Sequence, residues 1–298
     1  MNDLKVITAK SCLAYDADGH PENSARVART QELLQRQGYT FVEAASCTEH
    51  DILRVHSHRH LETVRSGKFF DTDTPNIPGI FEHAKLAAGA AMQAAEFALH
   101  GHPAFSLMRP PGHHATRNQL MGFCYFNNIA IAVAGVLEAG TKPKSHDYDH
   151  GMAPKRVATL DFDCHHGNGT EDIFHGHPNV LFVSLHQSPC YPGTGNSNTS
   201  NCINYPLPAQ TSEKEYLVAF EDALLRIAAF HPNLLAVSAG FDAFHEDPIT
   251  QMNLEVSTFG KIGKAIRDLK LPTFSVLEGG YSGKLPECVA TYLEGLAG

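Results

Sequence analysis

The chain has 298 residues, of which 43% are hydrophobic and 18% are charged, which is the composition of an ordinary globular protein. Its formal net charge of −9 argues against nonspecific nucleic-acid binding, which depends on clustered Lys and Arg side chains. No tract approaches the roughly 20 apolar residues that span a bilayer, and the polar start MNDLKVITAK lacks the apolar core of a signal peptide. We therefore expect a cytoplasmic chain without a membrane or nucleic-acid partner.

Short apolar runs alternate with longer segments of helical pattern along the chain. The runs predict strands over residues 4–8, 105–108, 180–185, 234–238 and 273–277, and a further strand that begins at residue 156. The longer segments predict helices over residues 24–37, 48–55, 58–66, 80–99, 127–137, 170–174, 213–230, 255–269 and 286–296. Ser24 is the predicted cap of the first helix. Polar stretches predict loops over residues 141–155 and 187–212.

The alternation of strands and helices predicts the fold class. It is typical of an α/β protein with a mostly parallel β-sheet that helices cover on both faces. Neither a linker nor an internal repeat interrupts the pattern. We therefore predict a single domain over residues 1–298.

The stretch from residue 156 to 170, RVATLDFDCHHGNGT, is the strongest functional signal in the chain. Its apolar start predicts a buried strand that opens into a polar loop. Side chains alternate along a strand, so Asp161, Asp163 and His165 are expected on one face. Such metal-competent groups at the carboxyl end of a strand lie where open α/β sheets bind their ligands. The alternative is a solvated turn that is rich in Asp and His.

Four predicted strands end in polar, glycine-rich motifs, namely RPPGHH, DFDCHH, SAGFD and EGGY. In a parallel sheet these ends converge on one edge, where Asp163, His165 and Asp242 would supply three metal ligands and leave a position open for water. Two carboxylates and one imidazole suit Zn²⁺ or Fe²⁺. The seven cysteines form no Cys-x-x-Cys pair, which argues against a thiolate zinc site and a disulfide framework.

The same strand ends carry candidate catalytic side chains. His113 and His114 are adjacent after a predicted strand and are suited to proton transfer. Tyr281 follows two glycines, and its hydroxyl could donate to a carbonyl oxygen on which negative charge develops. Taken singly, the histidines could be solvated loop residues and the tyrosine a turn residue.

At these residues the chain resembles the histone deacetylase family of the arginase/deacetylase fold, and in particular its bacterial class II type. The resemblance covers nearly the whole chain through the motifs GHPENSAR, RPPGHHA, GFCYFNN, LDFDCHHGNGT, SLHQSPCYPGTG, SAGFDAF and LEGGY. It implies that the three candidate ligands bind zinc, that the histidine pair is catalytic and that the tyrosine stabilises the transition state.

The resemblance also implies a tunnel for the acyl-lysine side chain. Gly122, Phe123 and Tyr191 would line it, and Asp73 at its rim would hold the substrate backbone. In this family, polyamine deacetylases carry an acidic gatekeeper seven residues after the last metal-binding aspartate. Ile249 stands at that position here, and an aliphatic side chain cannot compensate a buried ammonium. This feature favours acyl-lysine over polyamine substrates.

Further residues are implied in structural and supporting roles. A structural K⁺ site would be built from Asp161, Asp163, His165, Ser184 and the backbone of Leu185. Asp161 is the expected partner of His113, whereas His114 would pair with Asn168, where class I members carry Asp. An amide stabilises an imidazolium less than a carboxylate does, so His114 should be the weaker base.

We expect a zinc-dependent amidohydrolase that removes an acyl group, above all acetyl, from the lysine side chain of a protein or peptide. The first alternative is deacetylation of a small acylated amine such as a polyamine. A second alternative, an arginase-type hydrolase with two manganese ions, would need more bridging carboxylates than SAGFDAF offers. A third, a non-catalytic acyl-lysine binding module, would lack the tyrosine or a ligand. The sequence makes no prediction of an oligomeric state.

Overall fold

The computed structural model describes residues 3–141 and 155–298 of the chain. Within them, eight strands form one sheet in the order β2-β1-β3-β8-β7-β4-β5-β6, and all neighbours are parallel. The strands are β1 Lys5–Thr8, β2 Phe41–Glu43, β3 Ala104–Ser106, β4 Val157–Asp161, β5 Val180–Gln187, β6 Cys202–Leu207, β7 Leu234–Ala239 and β8 Thr273–Leu277. The predicted α/β fold is therefore confirmed.

Helices cover both faces of this sheet. They are α1 Ser24–Arg36, α2 Glu49–Leu53, α3 His58–Ser66, α4 Ile80–Leu99, α5 Asn128–Thr141, α6 Asn168–Phe174, α7 Glu213–Phe230, α8 Val256–Asp268 and α9 Leu285–Ala297. The helix α4 packs against β1, β3 and β8, while Tyr292 of α9 contacts the rings of Phe105 and Phe162. No helix in the described ranges is long and apolar enough to cross a membrane.

The two edge strands were not predicted from the sequence. The strand β6 lies inside the predicted loop 187–212, and β2 follows the first helix. Among the strands in the described ranges, β6 pairs with β5 alone, and it contains Asn204 and Pro206, which interrupt the apolar pattern of a central strand. Edge strands are therefore the elements that periodicity detects least well. Residues 142–154 of the other predicted loop lie outside the described residues.

The predicted bounds also need local corrections. Asn23, not Ser24, caps α1, because its extended backbone lets the side chain accept a hydrogen bond from the Ala25 amide. Ser24 is already helical and donates its hydroxyl to Asp16. The strand β3 ends at Ser106, before the predicted end, and α6 begins at residue 168 rather than 170.

The centre of the sheet positions the candidate site. The strand β4 lies between β5 and β7, and its last residue, Asp161, is in register with Ser184 and Ser238. β4 ends at Asp161, so Asp163 and His165 lie in the bend beyond it and not on a strand face as predicted. The carboxyl ends of these neighbouring strands nevertheless meet at one edge, as expected for a parallel sheet.

The cysteines belong to the packing of this fold. All seven are free, and all except Cys190 are buried. Most of the cysteines therefore serve in packing.

Candidate active site

Three metal-competent side chains meet beyond the ends of β4 and β7. The ligand atoms of Asp163, His165 and Asp242 lie within 4.8 Å of one another, and all three residues are buried. Nδ1 of His165 lies 3.2 Å from Oδ1 of Asp163 and 2.8 Å from Oδ2 of Asp242. No second group of this kind exists in the described ranges. The structure thus brings together the three residues that the sequence singled out.

Backbone amides hold the two carboxylates in place. The Gly279 amide donates to Oδ2 of Asp163 at 2.7 Å, and the Cys164 amide donates to Oδ1 of Asp242 at 2.7 Å. A Cβ on Gly240 would lie only 2.1 Å from Oδ2 of Asp163, and one on Gly279 only 2.5 Å from it. The glycines of SAGFD and EGGY are therefore required because the backbone passes directly beside a candidate ligand.

The electrostatics of this cluster fit a cation. Oδ2 of Asp242 is buried and finds no hydrogen-bond partner of good geometry among the described residues, although it lies 2.8 Å from Nδ1 of His165. Burial raises the pKa of Asp242 to about 7, and the negative charge of Asp163 adds to this shift. Two buried carboxylates this close repel each other, and a bound cation would relieve that repulsion. One imidazole with two carboxylates is a donor set that suits Zn²⁺ or Fe²⁺, so the residues fit a divalent metal.

The adjacent histidines differ in charge because their partners differ. The ring of His113 donates from Nδ1 to Asp161 at 2.9 Å, and that of His114 donates to Oδ1 of Asn168 at 2.7 Å. Burial opposes the charge on His113, but the carboxylates of Asp161 and Asp163 outweigh it and raise its pKa to about 10. Burial and the charge of His113 lower the pKa of His114 well below 6.5. At neutral pH, His114 is therefore neutral and its Nε2 can accept a proton.

Glu278 is a functional residue that sequence reasoning missed. It is fully buried, and its carboxylate accepts hydrogen bonds from the amides of Gly112 and His113 and from the Ser238 hydroxyl. Burial raises its pKa to about 7. Glu278 thus fixes the backbone of the histidine pair. The signal in the sequence was an acidic residue at the end of an apolar strand, directly before two glycines.

Arg26 is a second residue whose role only the structure reveals. Its guanidinium donates to the carbonyl oxygens of Gly280 and Glu278 and lies 4.8 Å from the centre of the Tyr281 ring. Burial raises the pKa of Tyr281 well above 10, so the phenol stays protonated and can act as a donor. Glu22 in turn pairs with Arg26 at 3.2 Å. The motif GHPENSAR therefore supports the Tyr281 loop.

A cavity of about 260 Å³ leads to these groups. All five residues predicted to contact the substrate line it, and they are Asp73, Gly122, Phe123, Tyr191 and Ile249. His113, His114, His165 and Tyr281 line it as well. One candidate metal ligand, the histidine pair and the phenol thus face the space that a substrate would enter.

The predicted K⁺ site shares Asp163 and His165 with this cluster, and its other residues lie on β4 and β5. Asp161 and Ser184 are cross-strand neighbours on β4 and β5. The Ser184 hydroxyl is hydrogen-bonded to the His186 ring at 3.0 Å, and Oδ1 of Asp161 accepts from the Asp163 amide at 3.1 Å. The K⁺ site therefore stays a prediction.

Comparison with known proteins agrees with this geometry. Residues 20–296 match the family model of the histone deacetylase domain. The chain is 37% identical to a probable deacetylase of Methanothermobacter thermautotrophicus, over 99% of this chain and 91% of that protein. It is 35% identical to the histone deacetylase-like amidohydrolase of Pseudomonas aeruginosa, over 95% of this chain and 78% of that protein.

A solved structure shares the whole architecture. The acetylpolyamine aminohydrolase from Burkholderia pseudomallei matches with a TM-score of 0.84 and 26% identity, over 98% of each chain. That protein is named for a small acylated amine as substrate, whereas the two relatives described above are named for deacetylation and amide hydrolysis. The fold, the buried Asp-His-Asp cluster and the matched domain lead to one conclusion: the chain belongs to the histone deacetylase family of hydrolases.

Proposed function

We propose that this chain is a zinc-dependent deacetylase whose main substrates are acetylated lysine side chains of proteins or peptides. One observation carries the proposal. His165 of the Asp-His-Asp cluster, a neutral histidine beside a charged one and a protonated phenol all line a single cavity. This combination supplies a place for a metal, a proton acceptor and a donor for a developing oxyanion.

The metal would be held by Asp163, His165 and Asp242, with Zn²⁺ as our assignment and Fe²⁺ as an ion that the same donors suit. When bound, such an ion acidifies water and polarises a carbonyl oxygen. The structural K⁺ is proposed at the ligands predicted from the sequence, where Asp161 and Ser184 are neighbours.

The protein's own groups divide the remaining work. His114 begins neutral, so its Nε2 takes the proton of the attacking water and then delivers a proton to the leaving amine. His113 keeps its positive charge beside Asp161 and stabilises the negative charge of the transition state. The Tyr281 hydroxyl donates to the carbonyl oxygen as that oxygen becomes negative.

The cavity walls favour a lysine substrate. Phe123 and Tyr191 offer aromatic faces to an extended methylene chain. Ile249 lines the wall with an aliphatic side chain, so an internal ammonium of a polyamine would lose its hydration there without gaining a partner. Asp73 is exposed at the rim, where it can accept hydrogen bonds from a peptide backbone.

Small acylated amines are the second candidate. The match to an acetylpolyamine aminohydrolase over nearly the whole chain favours it. An exposed Asp73 could also attract the distal ammonium of such a substrate. The two candidate functions share every catalytic step. They differ only in which part of the substrate contacts the cavity wall and the rim.

A kinetic panel separates the candidates. We expect zinc-loaded wild type to show a higher kcat/KM for acetyl-lysine peptides than for acetylspermidine. Ile249→Glu should shift this ratio toward the polyamine by about tenfold or more, because the new carboxylate can pair with an ammonium. Ile249→Leu keeps an aliphatic wall and should leave the ratio unchanged. If wild type hydrolyses acetylspermidine more efficiently than every peptide tested, the lysine assignment is wrong and the polyamine assignment replaces it.

A further inference from the structure

The loop between Asp242 and α8 is tied to the site at several points. It carries Ile249 to the cavity wall. The Thr250 hydroxyl donates to the backbone carbonyl of Asp242, and the Gln251 amide donates to the Gln187 side chain at 2.9 Å. The position of this loop is therefore coupled to a candidate metal ligand.

One buried carboxylate in this loop reaches the catalytic tyrosine. The side chain of Asp247 is only 6% exposed. Its Oδ1 accepts from the Ile249 amide at 3.1 Å, and its Oδ2 accepts from the Tyr281 amide at 2.8 Å. The second bond joins residues that are 34 positions apart in the chain. Both oxygens are thus used to connect the cavity wall with the Tyr281 loop.

The Tyr281 backbone depends on such side-chain contacts. Tyr281 lies between β8 and α9, outside both elements, and follows Gly279 and Gly280. Gly280 has a φ of 116°, a conformation that side chains rarely allow, so this segment has more backbone freedom than a strand or helix. Arg26 holds the carbonyl groups that precede the tyrosine, and Asp247 holds the amide of the tyrosine itself. Together the two residues fix the point from which the phenol projects.

We propose that Asp247 is a positioning residue that holds the Tyr281 phenol in its catalytic place. The inference rests on the proposed function, because it assigns to Tyr281 the donor role described above. Asp247 is not among the residues that line the cavity, and it contacts the tyrosine through the backbone amide. A misplaced donor loses transition-state stabilisation while the substrate still binds.

The test is a double-mutant cycle in the zinc-loaded protein with an acetyl-lysine peptide. Tyr281→Phe should lower kcat by about 10²- to 10³-fold with little change in peptide affinity, because the donor acts mainly in the transition state. Asp247→Asn leaves one acceptor oxygen for two amides and should lower kcat by about 10- to 100-fold, with KM changed less than about threefold. In the Tyr281→Phe background, the same substitution should lower kcat by less than about threefold.

A second readout does not depend on activity. Amide hydrogen exchange of residues 279–283 should become faster in Asp247→Asn, because the Tyr281 amide loses its acceptor. The control is Glu246→Gln, which removes the same charge from the adjacent, exposed position and should change neither exchange nor kcat. Melting temperature and zinc content, measured in each variant, identify any loss of folding or metal.

Two results would overturn the proposal. One is unchanged exchange of the Tyr281 segment in a folded Asp247→Asn protein. The other is an equal loss of kcat with and without the tyrosine hydroxyl, which would show that Asp247 acts by another route. A wild type that hydrolyses no acylated amine would contradict the proposed function, whereas the exchange experiment would still decide whether Asp247 positions Tyr281.

Discussion

Two neighbouring histidines, one charged and one neutral, show how the surroundings of each ring set the chemistry of this site. His113 and His114 are both buried, with ring centres 4.0 Å apart. Two like charges at that distance would repel strongly, so a carboxylate partner for one and an amide for the other separates their pKa values. The separation leaves one ring as a fixed cation and the other as a base. Burial and the charge of His113 therefore keep His114 neutral, and Asn168 adds no negative charge that would oppose them.

This assignment predicts a change in the pH dependence of catalysis. Asn168→Asp should raise the pKa of His114, because the new carboxylate stabilises the imidazolium. The base must be neutral, so the acidic limb of the kcat/KM profile should move to higher pH, by about one unit or more. The control is Asn118→Asp, which adds the same charge at an exposed loop position. An acidic limb that stays in place would mean that Asn168 does not control the base.

At the scale of elements, the candidate metal site is the product of two strand ends. The segment after β4 provides Asp163 and His165, and the segment after β7 provides Asp242. Their register across the sheet brings the two segments side by side, and Gly240 allows the approach because it has no side chain. A site built in this way needs both segments, since neither supplies enough ligands alone.

This dependence predicts that each of the three ligands is needed both for metal binding and for the rate of hydrolysis. Asp163→Ala, His165→Ala and Asp242→Ala should each lose zinc and activity, as measured by metal analysis and peptide hydrolysis. The exposed carboxylate Asp222 on α7 offers a control, and Asp222→Ala should keep both. Retention of zinc and full activity by any of the three ligand variants would refute the assignment.

At the scale of the whole molecule, a buried ion-pair network joins the start of the chain to the site. Arg109 is fully buried, and its guanidinium donates to both carboxylate oxygens of Glu22 at 2.5 and 2.9 Å. The same carboxylate pairs with Arg26, which holds the Tyr281 loop. Two buried guanidinium groups thus share the buried carboxylate of Glu22, while the half-exposed Asp16 is a further partner of Arg109 at 3.4 Å.

The network predicts a large effect on stability. Glu22→Ala would leave buried positive charge without its partner and should lower the free energy of unfolding by about 3–5 kcal/mol, as measured by urea denaturation. Glu32→Ala removes the exposed partner of Arg36 and should cost less than about 1 kcal/mol. Similar losses in the two variants would show that the buried network does not contribute in this way.

The sequence by itself determined the elements and residues that have local signatures. Apolar runs predicted the six inner strands, and the Asp-x-Asp-x-His spacing with the motifs SAGFD, RPPGHH and EGGY identified the candidate ligands, the histidine pair and Tyr281. These signals are local because a buried strand needs consecutive apolar residues and because polar groups at its end interrupt that run.

Only the tertiary structure decided what depends on residues far apart in the chain. The edge strands lack a strong pattern because they have one neighbour each, and their pairing becomes evident only beside β1 and β5. The roles of Glu278, Arg26 and Asp247 arise from hydrogen bonds to distant backbone groups, and the bond from Arg26 to Gly280 spans 254 positions. A buried charged group is stable only when it has a partner. In this protein the partners come from distant parts of the chain, so only the folded structure reveals them.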